Sequence, residues 1–121
     1  MQPNLIILYV TDPLRSCAFY QSLFGIEPDA IFPTYSAFSF ENGLNLGLWS
    51  THAQDFTSGG SGHRTELCFL VESEKQVEEL YQNWQQLGVE IEQRPVTAIF
   101  GRTFVALDPD GHRLRVCLPD D

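Results

Sequence analysis

Three arginines near the C-terminal end of the chain are the residues best suited to bind a small anion. Arg102, Arg113 and Arg115 lie close together in a chain of 121 residues whose formal net charge is -9. A guanidinium group can hold a carboxylate through two parallel hydrogen bonds, and it can also stack on an aromatic ring. A local positive charge in an acidic protein suits a small anion better than a polymer, although surface carboxylates could also neutralise it. Because the whole chain repels a phosphate backbone, we expect no nucleic-acid partner.

A second group of candidate residues consists of aromatic side chains that could stack on a flat ligand. Its members are Tyr35, Trp49, Phe56, Phe100 and Phe104. A well-placed aromatic pair gains about 0.5–1.5 kcal/mol beyond the burial of its surface. Each ring could instead fill a core, an interface or a sheet edge, and the two in predicted loops, Phe56 and Phe100, could form lids. Aromatic walls with a few polar groups are normal for a small-molecule site.

No pattern typical of a catalytic centre emerges. Cys17, Cys68 and Cys117 are odd in number and form no CxxC pair, so we interpret them as reduced thiols of a cytoplasmic protein. The glycine-rich stretch at 59–62 lacks the lysine and helix of a phosphate loop. Glu66 could act as a base if burial raised its pKa. We therefore predict no catalytic residue, and we leave the question of enzyme activity open.

The elements that must position these residues occur twice along the chain. Residues 4–50 follow the pattern of a strand, a helix and three strands, and residues 65–118 repeat that order. A polar, glycine-rich linker over 51–64 joins the two. We predict a single α+β domain, 1–121, built from two βαβββ modules whose curved mixed sheets form a cleft.

Local signals mark the boundaries of the predicted elements. Asp12-Pro13 is typical of a helix start, and Ser73 with Gln76 has the spacing of a capping box. Asp108-Pro-Asp-Gly111 predicts the turn of the last hairpin. A short strand is expected over 89–92. No apolar run approaches the ~20 residues of a membrane span, so we expect no membrane partner.

Alternation along each predicted strand assigns side chains to the core or to the cleft. The cleft side of the first module is predicted to carry Leu5, Ile7, Tyr9, Tyr35, Ala37, Ser39, Asn45, Gly47 and Trp49. The cleft side of the second is predicted to carry Glu66, Cys68, Arg102, Phe104, Arg113 and Arg115. Thr103, Val105 and Leu107 are assigned to the core. The predicted ligand-binding residues are Tyr35, Asn45, Trp49, Phe56, Glu66, Phe100, Arg102, Phe104 and Arg115.

Several motifs of the chain resemble the vicinal oxygen chelate superfamily. They are Val10-Thr-Asp12, Phe19-Tyr20, Leu23-Phe-Gly25 and Asp108-Pro-Asp-Gly-His112. The superfamily includes glyoxalase I, extradiol dioxygenases, fosfomycin-resistance enzymes and bleomycin-resistance proteins. The resemblance covers almost the whole chain and implies the two-module fold and a homodimer.

A more specific likeness is to the phenazine antibiotic-resistance proteins of that superfamily. It rests on Pro3-Asn-Leu5, Tyr9-Val10, Trp49-Ser50, Phe100-Gly-Arg-Thr-Phe104 and Asp108 through Cys117. This resemblance implies a protein that sequesters a planar aromatic antibiotic, with or without a carboxylate. The alternative is an enzyme of the same superfamily, of the lyase, isomerase, thiol transferase or dioxygenase type. A module whose cleft senses a metabolite is a third, weaker alternative.

The resemblance also raises the question of a metal. The metal-using branches place His, Gln or Glu ligands at four strand positions, and the motifs transfer these to Leu5, Gly47, Glu66 and Arg115. Leucine and glycine offer no ligand, and arginine offers no lone pair. One carboxylate remains where three or four ligands are normal, so we predict no metal and no cofactor. Glu66 and Arg115 could pair with each other, or Arg115 could bind a ligand carboxylate.

Overall fold

The computed structural model describes residues 1–54, 56, 58, 62 and 65–119, and it divides the chain into two compact units, Met1–Ser61 and Gly62–Asp121. The first unit contains β1 (Leu5–Val10), α1 (Pro13–Phe24), β2 (Ala30–Phe32), β3 (Tyr35–Ser39) and β4 (Asn45–Ser50). The second contains β5 (Glu66–Leu70), α2 (Glu74–Gln86), β6 (Glu90–Ala98), β7 (Gly101–Leu107) and β8 (Arg113–Cys117). The predicted α+β class and the two βαβββ modules are confirmed. Half of the predicted linker, residues 55, 57, 59–61, 63 and 64, lies outside the described residues.

Each unit holds one four-stranded mixed sheet and one helix. The strand order is β1-β4-β3-β2 in the first sheet and β5-β8-β7-β6 in the second. In both sheets the first strand pairs in parallel with the last, and the remaining pairs are antiparallel. One face of each sheet packs against its helix, and the opposite face is called the open face below. No helix among the described residues has the length and apolar character needed to cross a bilayer.

Helix α1 begins at the predicted residues, Asp12 and Pro13. The carboxylate of Asp12 accepts hydrogen bonds from the amides of Leu14 and Arg15, at 3.1 and 3.4 Å. Gly25 ends the helix with a φ of 69°, a left-handed conformation that glycine adopts without strain. Tyr20 of this helix is completely buried, and the ring of Phe24 contacts the ring of Phe38 on β3 edge to face.

Helix α2 begins at the predicted capping residues. The Ser73 hydroxyl accepts a hydrogen bond from the amide of Gln76 at 3.2 Å, and the Gln76 side chain accepts one from the amide of Glu72. The helix buries Val77 and Trp84 against the second sheet. Val77 and Trp84 therefore contribute to the core of the second unit.

The turn between β7 and β8 is organised by a buried carboxylate. Asp108 is almost completely buried, and its Oδ1 accepts hydrogen bonds from the amides of Asp110 and His112 at 2.9 and 2.8 Å. Its Oδ2 lies 2.7 Å from Nδ1 of His112, and Gly111 adopts a φ of 87°. The predicted turn is confirmed, and Asp108 satisfies the backbone of the loop that follows it.

The Asp108–His112 contact makes stability depend on pH. Burial alone would lower the pKa of His112, but the hydrogen bond and charge of Asp108, with the charge of Asp110, outweigh it and raise that pKa above 6.5. A histidine with a raised folded-state pKa stabilises the fold fully below the unfolded value, and the stabilisation is lost as pH rises through the folded value. We expect the wild type to lose unfolding free energy from about pH 6.5 upward relative to His112→Gln. Urea denaturation of both proteins from pH 5.5 to 9 measures this, and parallel pH profiles would contradict it.

Strand β6 is longer than predicted. It extends over Glu90–Ala98, whereas the sequence predicted a short strand over 89–92. Its pairing with β7 shifts between Ile91 and Gln93 and again between Gln93 and Val96, and Pro95 lies in the second irregular stretch. Because β6 is an edge strand, a proline without an N–H and two register shifts are tolerated there.

The predicted faces of β7 are wrong. Phe104 lies directly opposite Val116 of β8, and its ring contacts Tyr81 and Trp84 of α2, with centroids 5.4 Å apart in both pairs. Arg102 shares this helix-covered face, whereas Thr103 lies on the open face. The reason is that 103–106 is buried at every position, so the alternation carries no polar marker of the exposed side.

Candidate ligand-binding site

The open face of the first sheet carries a row of three aromatic residues. Tyr9 on β1, Trp49 on β4 and Tyr35 on β3 are direct neighbours across three adjacent strands. The rings of Tyr9 and Trp49 have centroids 6.3 Å apart. Phe56 packs against both, with centroids 4.9 Å from Tyr9 and 5.3 Å from Trp49. The structure thus brings three predicted site residues together and adds Tyr9, which is 45% exposed.

Tyr35 occupies space that a side chain at position 47 would need. A Cβ atom built on Gly47 would lie 2.5 Å from the Tyr35 hydroxyl oxygen and 2.9 Å from its Cε1. Contacts this short do not occur between ordinary side chains, so the phenol ring lies over β4 only because residue 47 is glycine. A glycine in a strand interior often marks such a close approach.

This contact predicts a context-dependent cost for a Cβ atom at position 47. Gly47→Ala should lower the free energy of unfolding by about 1–3 kcal/mol, because the Tyr35 ring must leave its place. In a Tyr35→Ala background the same substitution should cost nothing or slightly stabilise the strand. A double-mutant cycle by urea denaturation measures the difference. Equal costs in the two backgrounds would show that the ring does not depend on Gly47.

The other end of this open face carries apolar side chains and neutral polar side chains. Leu5 and Ile7 of β1 are both more than two-fifths exposed. The Ser39 hydroxyl donates to the Asn45 side-chain oxygen at 2.7 Å, and the Asn45 amide donates to the carbonyl of Asn4 at 3.1 Å. The predicted site residue Asn45 therefore lies on the open face, where local hydrogen bonds hold its side chain. The row of Ile7 and Gly47 separates it from the aromatic row.

The open face of the second sheet is dominated by the pair Glu66 and Arg115. Nε and one terminal nitrogen of Arg115 donate to the two carboxylate oxygens of Glu66, at 2.8 and 3.0 Å. The predicted pairing is confirmed, and its geometry is bidentate. The hydrogen bond from Arg115 lowers the pKa of Glu66 and, in return, raises that of Arg115. A lowered pKa is the opposite of what a general base at Glu66 would require.

Two neighbours hold the Arg115 side chain in place. Its remaining terminal nitrogen donates to the Thr103 hydroxyl at 3.1 Å, and that hydroxyl donates to the carbonyl of Val116 at 2.8 Å. The guanidinium carbon lies 5.8 Å from the ring centroid of Phe100, which is about half exposed. The role of Thr103 as a partner of Arg115 was not predicted, because the sequence pattern assigned Thr103 to the core. Its hydroxyl group at the start of an apolar run was the signal that could have indicated this role.

The three arginines do not form a free positive patch. Arg102 pairs with Glu78 of α2 at 2.7 Å, on the helix-covered face and away from Arg115. Arg113 pairs with Glu92 of β6 at 2.8 Å. Together with the Glu66 pair, each arginine of the predicted anion site already has a carboxylate partner from its own unit. Arg102 and Phe104 are therefore on the wrong face to share a surface with Arg115, and their predicted positions are corrected.

The residues at the transferred metal positions do not fit a divalent metal. In the first unit, Leu5 has no donor atom and Gly47 is overlain by the Tyr35 ring. In the second, both oxygens of Glu66 are engaged by Arg115. The described part of the chain contains no cluster of three or more His, Cys, Asp or Glu side chains that could hold a metal ion. A divalent metal site normally needs three or four such ligands.

Comparison with known proteins identifies the class of this chain. Residues 2–116 match the model of the Glyoxalase/Bleomycin resistance protein/Dioxygenase superfamily, so the chain belongs to that superfamily. The phenazine antibiotic resistance protein EhpR of Enterobacter agglomerans is 31% identical over 118 residues, which cover 95% of this chain and 90% of EhpR.

Solved structures agree with this assignment. Protein ATC0852 from Agrobacterium tumefaciens is 42% identical, covers 100% of this chain and 99% of its own, and has a TM-score of 0.88. A glyoxalase-related enzyme from Fulvimarina pelagi is 22% identical, with a TM-score of 0.83 over 98% of this chain and 88% of its own. The second likeness shows the fold alone.

Proposed function

We propose that this chain binds a planar aromatic small molecule of the phenazine type and sequesters it without chemistry. The observation that supports this most directly is the row of Tyr9, Trp49 and Tyr35 on an open sheet face. Three aromatic residues on adjacent strands offer an apolar surface to a fused ring system, and the Tyr9 and Trp49 rings, inclined at 65° to each other, can contact it through a face and an edge. The similarity to EhpR, a phenazine antibiotic resistance protein, supports an antibiotic as the ligand.

A binding role agrees with the chemistry of the second unit. Glu66 and Arg115 neutralise each other, so neither is a free acid, base or anion partner. Of the four transferred metal positions only Glu66 carries a donor side chain, and both of its oxygens accept hydrogen bonds from Arg115, so the residues present do not form the ligand set that Lewis-acid chemistry needs. Resistance by sequestration requires only that binding lower the concentration of free drug.

We also infer a homodimer in the cytoplasm. Support comes from the resemblance to superfamily members that work as pairs of chains and from the cysteines, which are odd in number and form no CxxC pair. Light scattering at several protein concentrations distinguishes a dimer from a monomer.

Thermal unfolding with and without ligand tests the proposed binding. A ligand that binds only the folded state stabilises it by RT ln(1 + [L]/Kd), so phenazine should raise Tm steadily with the logarithm of its concentration. The same series in excess EDTA should give identical shifts. A Tm that falls on chelation, together with stoichiometric metal in the purified protein, would favour the alternative of a metal-dependent enzyme.

A further inference from the structure

We infer that Cys68 and Cys117 form a two-thiolate site for a soft monovalent metal ion of the Cu(I) class. Both cysteines belong to the second unit, so the site is complete within one compact unit. Neither of them is one of the four transferred positions of a divalent metal. The site goes beyond the proposed function, since binding of an aromatic compound in the first unit does not depend on it.

The two thiols lie on the same face of adjacent parallel strands. On β5, the ring of Phe69 contacts Trp84 of α2, so its neighbour Cys68 points to the open face. On β8, the side chain of Arg115 lies on the open face, and Cys117 follows two residues later with the same orientation. The register pairs Cys68 with Arg115, which makes Cys117 the diagonal neighbour of Cys68.

The spacing of the two thiols suits a bridging metal ion better than a disulfide. Strands about 4.8 Å apart, with a rise of about 3.3 Å per residue, place the Cα atoms of diagonal neighbours about 8 Å apart. A disulfide needs Cα atoms within about 7 Å and sulfurs about 2 Å apart. A metal ion between two sulfurs, with bonds of about 2.3 Å as in zinc thiolates, spans about 4.6 Å and therefore bridges a wider gap.

Electrostatic coupling agrees with this placement. The pKa of the Cys68 thiol is raised, first by partial burial and then by the charge of Cys117, while the charge of Arg115 acts in the opposite direction. The pKa of Arg115 is raised, first by its hydrogen bond with Glu66 and also by the charges of Cys68 and Cys117. The two thiols are thus close enough to affect each other, and the guanidinium beside them favours the thiolate form that a metal needs.

Two thiolates without a third ligand select a two-coordinate ion. The described residues contain no group of three or more His, Cys, Asp or Glu side chains, and both oxygens of the nearby Glu66 accept hydrogen bonds from Arg115. Zn²⁺ normally takes four ligands, whereas Cu(I) is a soft ion that accepts two thiolates in a line. On binding, Cu(I) forms two bonds to sulfur, the two thiol protons leave to solvent, and no electron is transferred.

Competition for Cu(I) between the reduced protein and the coloured chelator ferrozine, without oxygen, tests this site. The wild type should withdraw one Cu(I) per chain from the chelator. Cys68→Ser should weaken Cu(I) binding by about a hundredfold or more, because loss of a ligand costs at least as much as the 10- to 100-fold typical of an outer-shell change. Cys117→Ala should have the same effect.

Cys17→Ser is the matched control, because it removes the remaining cysteine, which lies on α1 in the first unit. Its affinity for Cu(I) should stay within about twofold of the wild type. Urea denaturation of each variant shows whether it is folded. If the buried Cys117 does not tolerate substitution, Cys68→Ser decides the question, because Cys68 is exposed.

Three results would overturn the inference. The first is a wild type that withdraws no Cu(I) from ferrozine. The second is a folded Cys68→Ser variant that binds Cu(I) as tightly as the wild type. The third is one Cu(I) per two chains, which would indicate that the ion bridges exposed thiols of different molecules. Phenazine binding is measured separately, so none of these results affects the proposed function.

Discussion

Phe104→Ala should lower the free energy of unfolding by about 3–5 kcal/mol, the usual cost of deleting a fully buried phenylalanine ring. Phe104 has no exposed surface, and its ring lies between Val116 on the neighbouring strand and the α2 residues Tyr81 and Trp84. Truncation leaves a cavity at the centre of the second unit's core. Chemical denaturation followed by circular dichroism measures the loss.

The matched control for this prediction is Phe100→Ala. The same side-chain change at a ring that is about half exposed should cost less than about 1.5 kcal/mol, because less surface is removed from burial. If Phe104→Ala proves too unstable to purify, Phe104→Leu should show a smaller loss of the same sign. A loss of unfolding free energy for Phe104→Ala that is no larger than for Phe100→Ala would indicate that the Phe104 ring lies on the open face. That result would contradict the observed register.

Trp49→Leu should weaken binding of phenazine roughly thirtyfold, or about 2 kcal/mol. Leucine keeps an apolar side chain on the open face but removes the flat ring at the centre of the aromatic row, between Tyr9 and Tyr35. The stacking contribution and part of the buried area are lost together. Calorimetric titration of wild type and variant gives the two dissociation constants.

Phe19→Leu is the control for the loss of a ring as such. Phe19 lies on α1, which packs on the opposite face of the same sheet, and its ring contacts Tyr20. We expect its affinity for phenazine to stay within about twofold of the wild type, since a few tenths of a kcal/mol is normal for a distant substitution. Equal losses from both substitutions would mean that binding depends on general stability and not on the aromatic row.

The fold could be predicted from the sequence because its signals agree at several levels. The helix starts at Asp12 and Ser73 combine a cap with an apolar stripe, and the order of elements is repeated in the two halves. Strand faces were predicted correctly where polar and apolar residues alternate, as in β4 and β8. The arginines of β8, for example, mark its open face between Leu114 and Val116, which are both fully buried.

The site could be predicted only in part, for physical reasons that particular residues show. In β7 every residue from 103 to 106 is buried, so alternation could not distinguish the face of Phe104 from that of Thr103. The length of β6 was missed because Pro95 normally interrupts a strand, and only its edge position permits it. The partners Glu78 and Glu92 come from elements distant in sequence, and no local pattern indicates which carboxylate reaches which arginine.

Titration of the wild-type protein with phenazine, followed by tryptophan fluorescence and then by mass spectrometry of the released compound, tests the central claim most directly. Quenching is expected because Trp49 lies in the aromatic row, and it should saturate because the number of sites is finite. The titration curve should be the same with EDTA present. The phenazine recovered after prolonged incubation should be unchanged in mass. A modified product, or quenching that rises linearly without saturation, would contradict a binding protein that acts by sequestration.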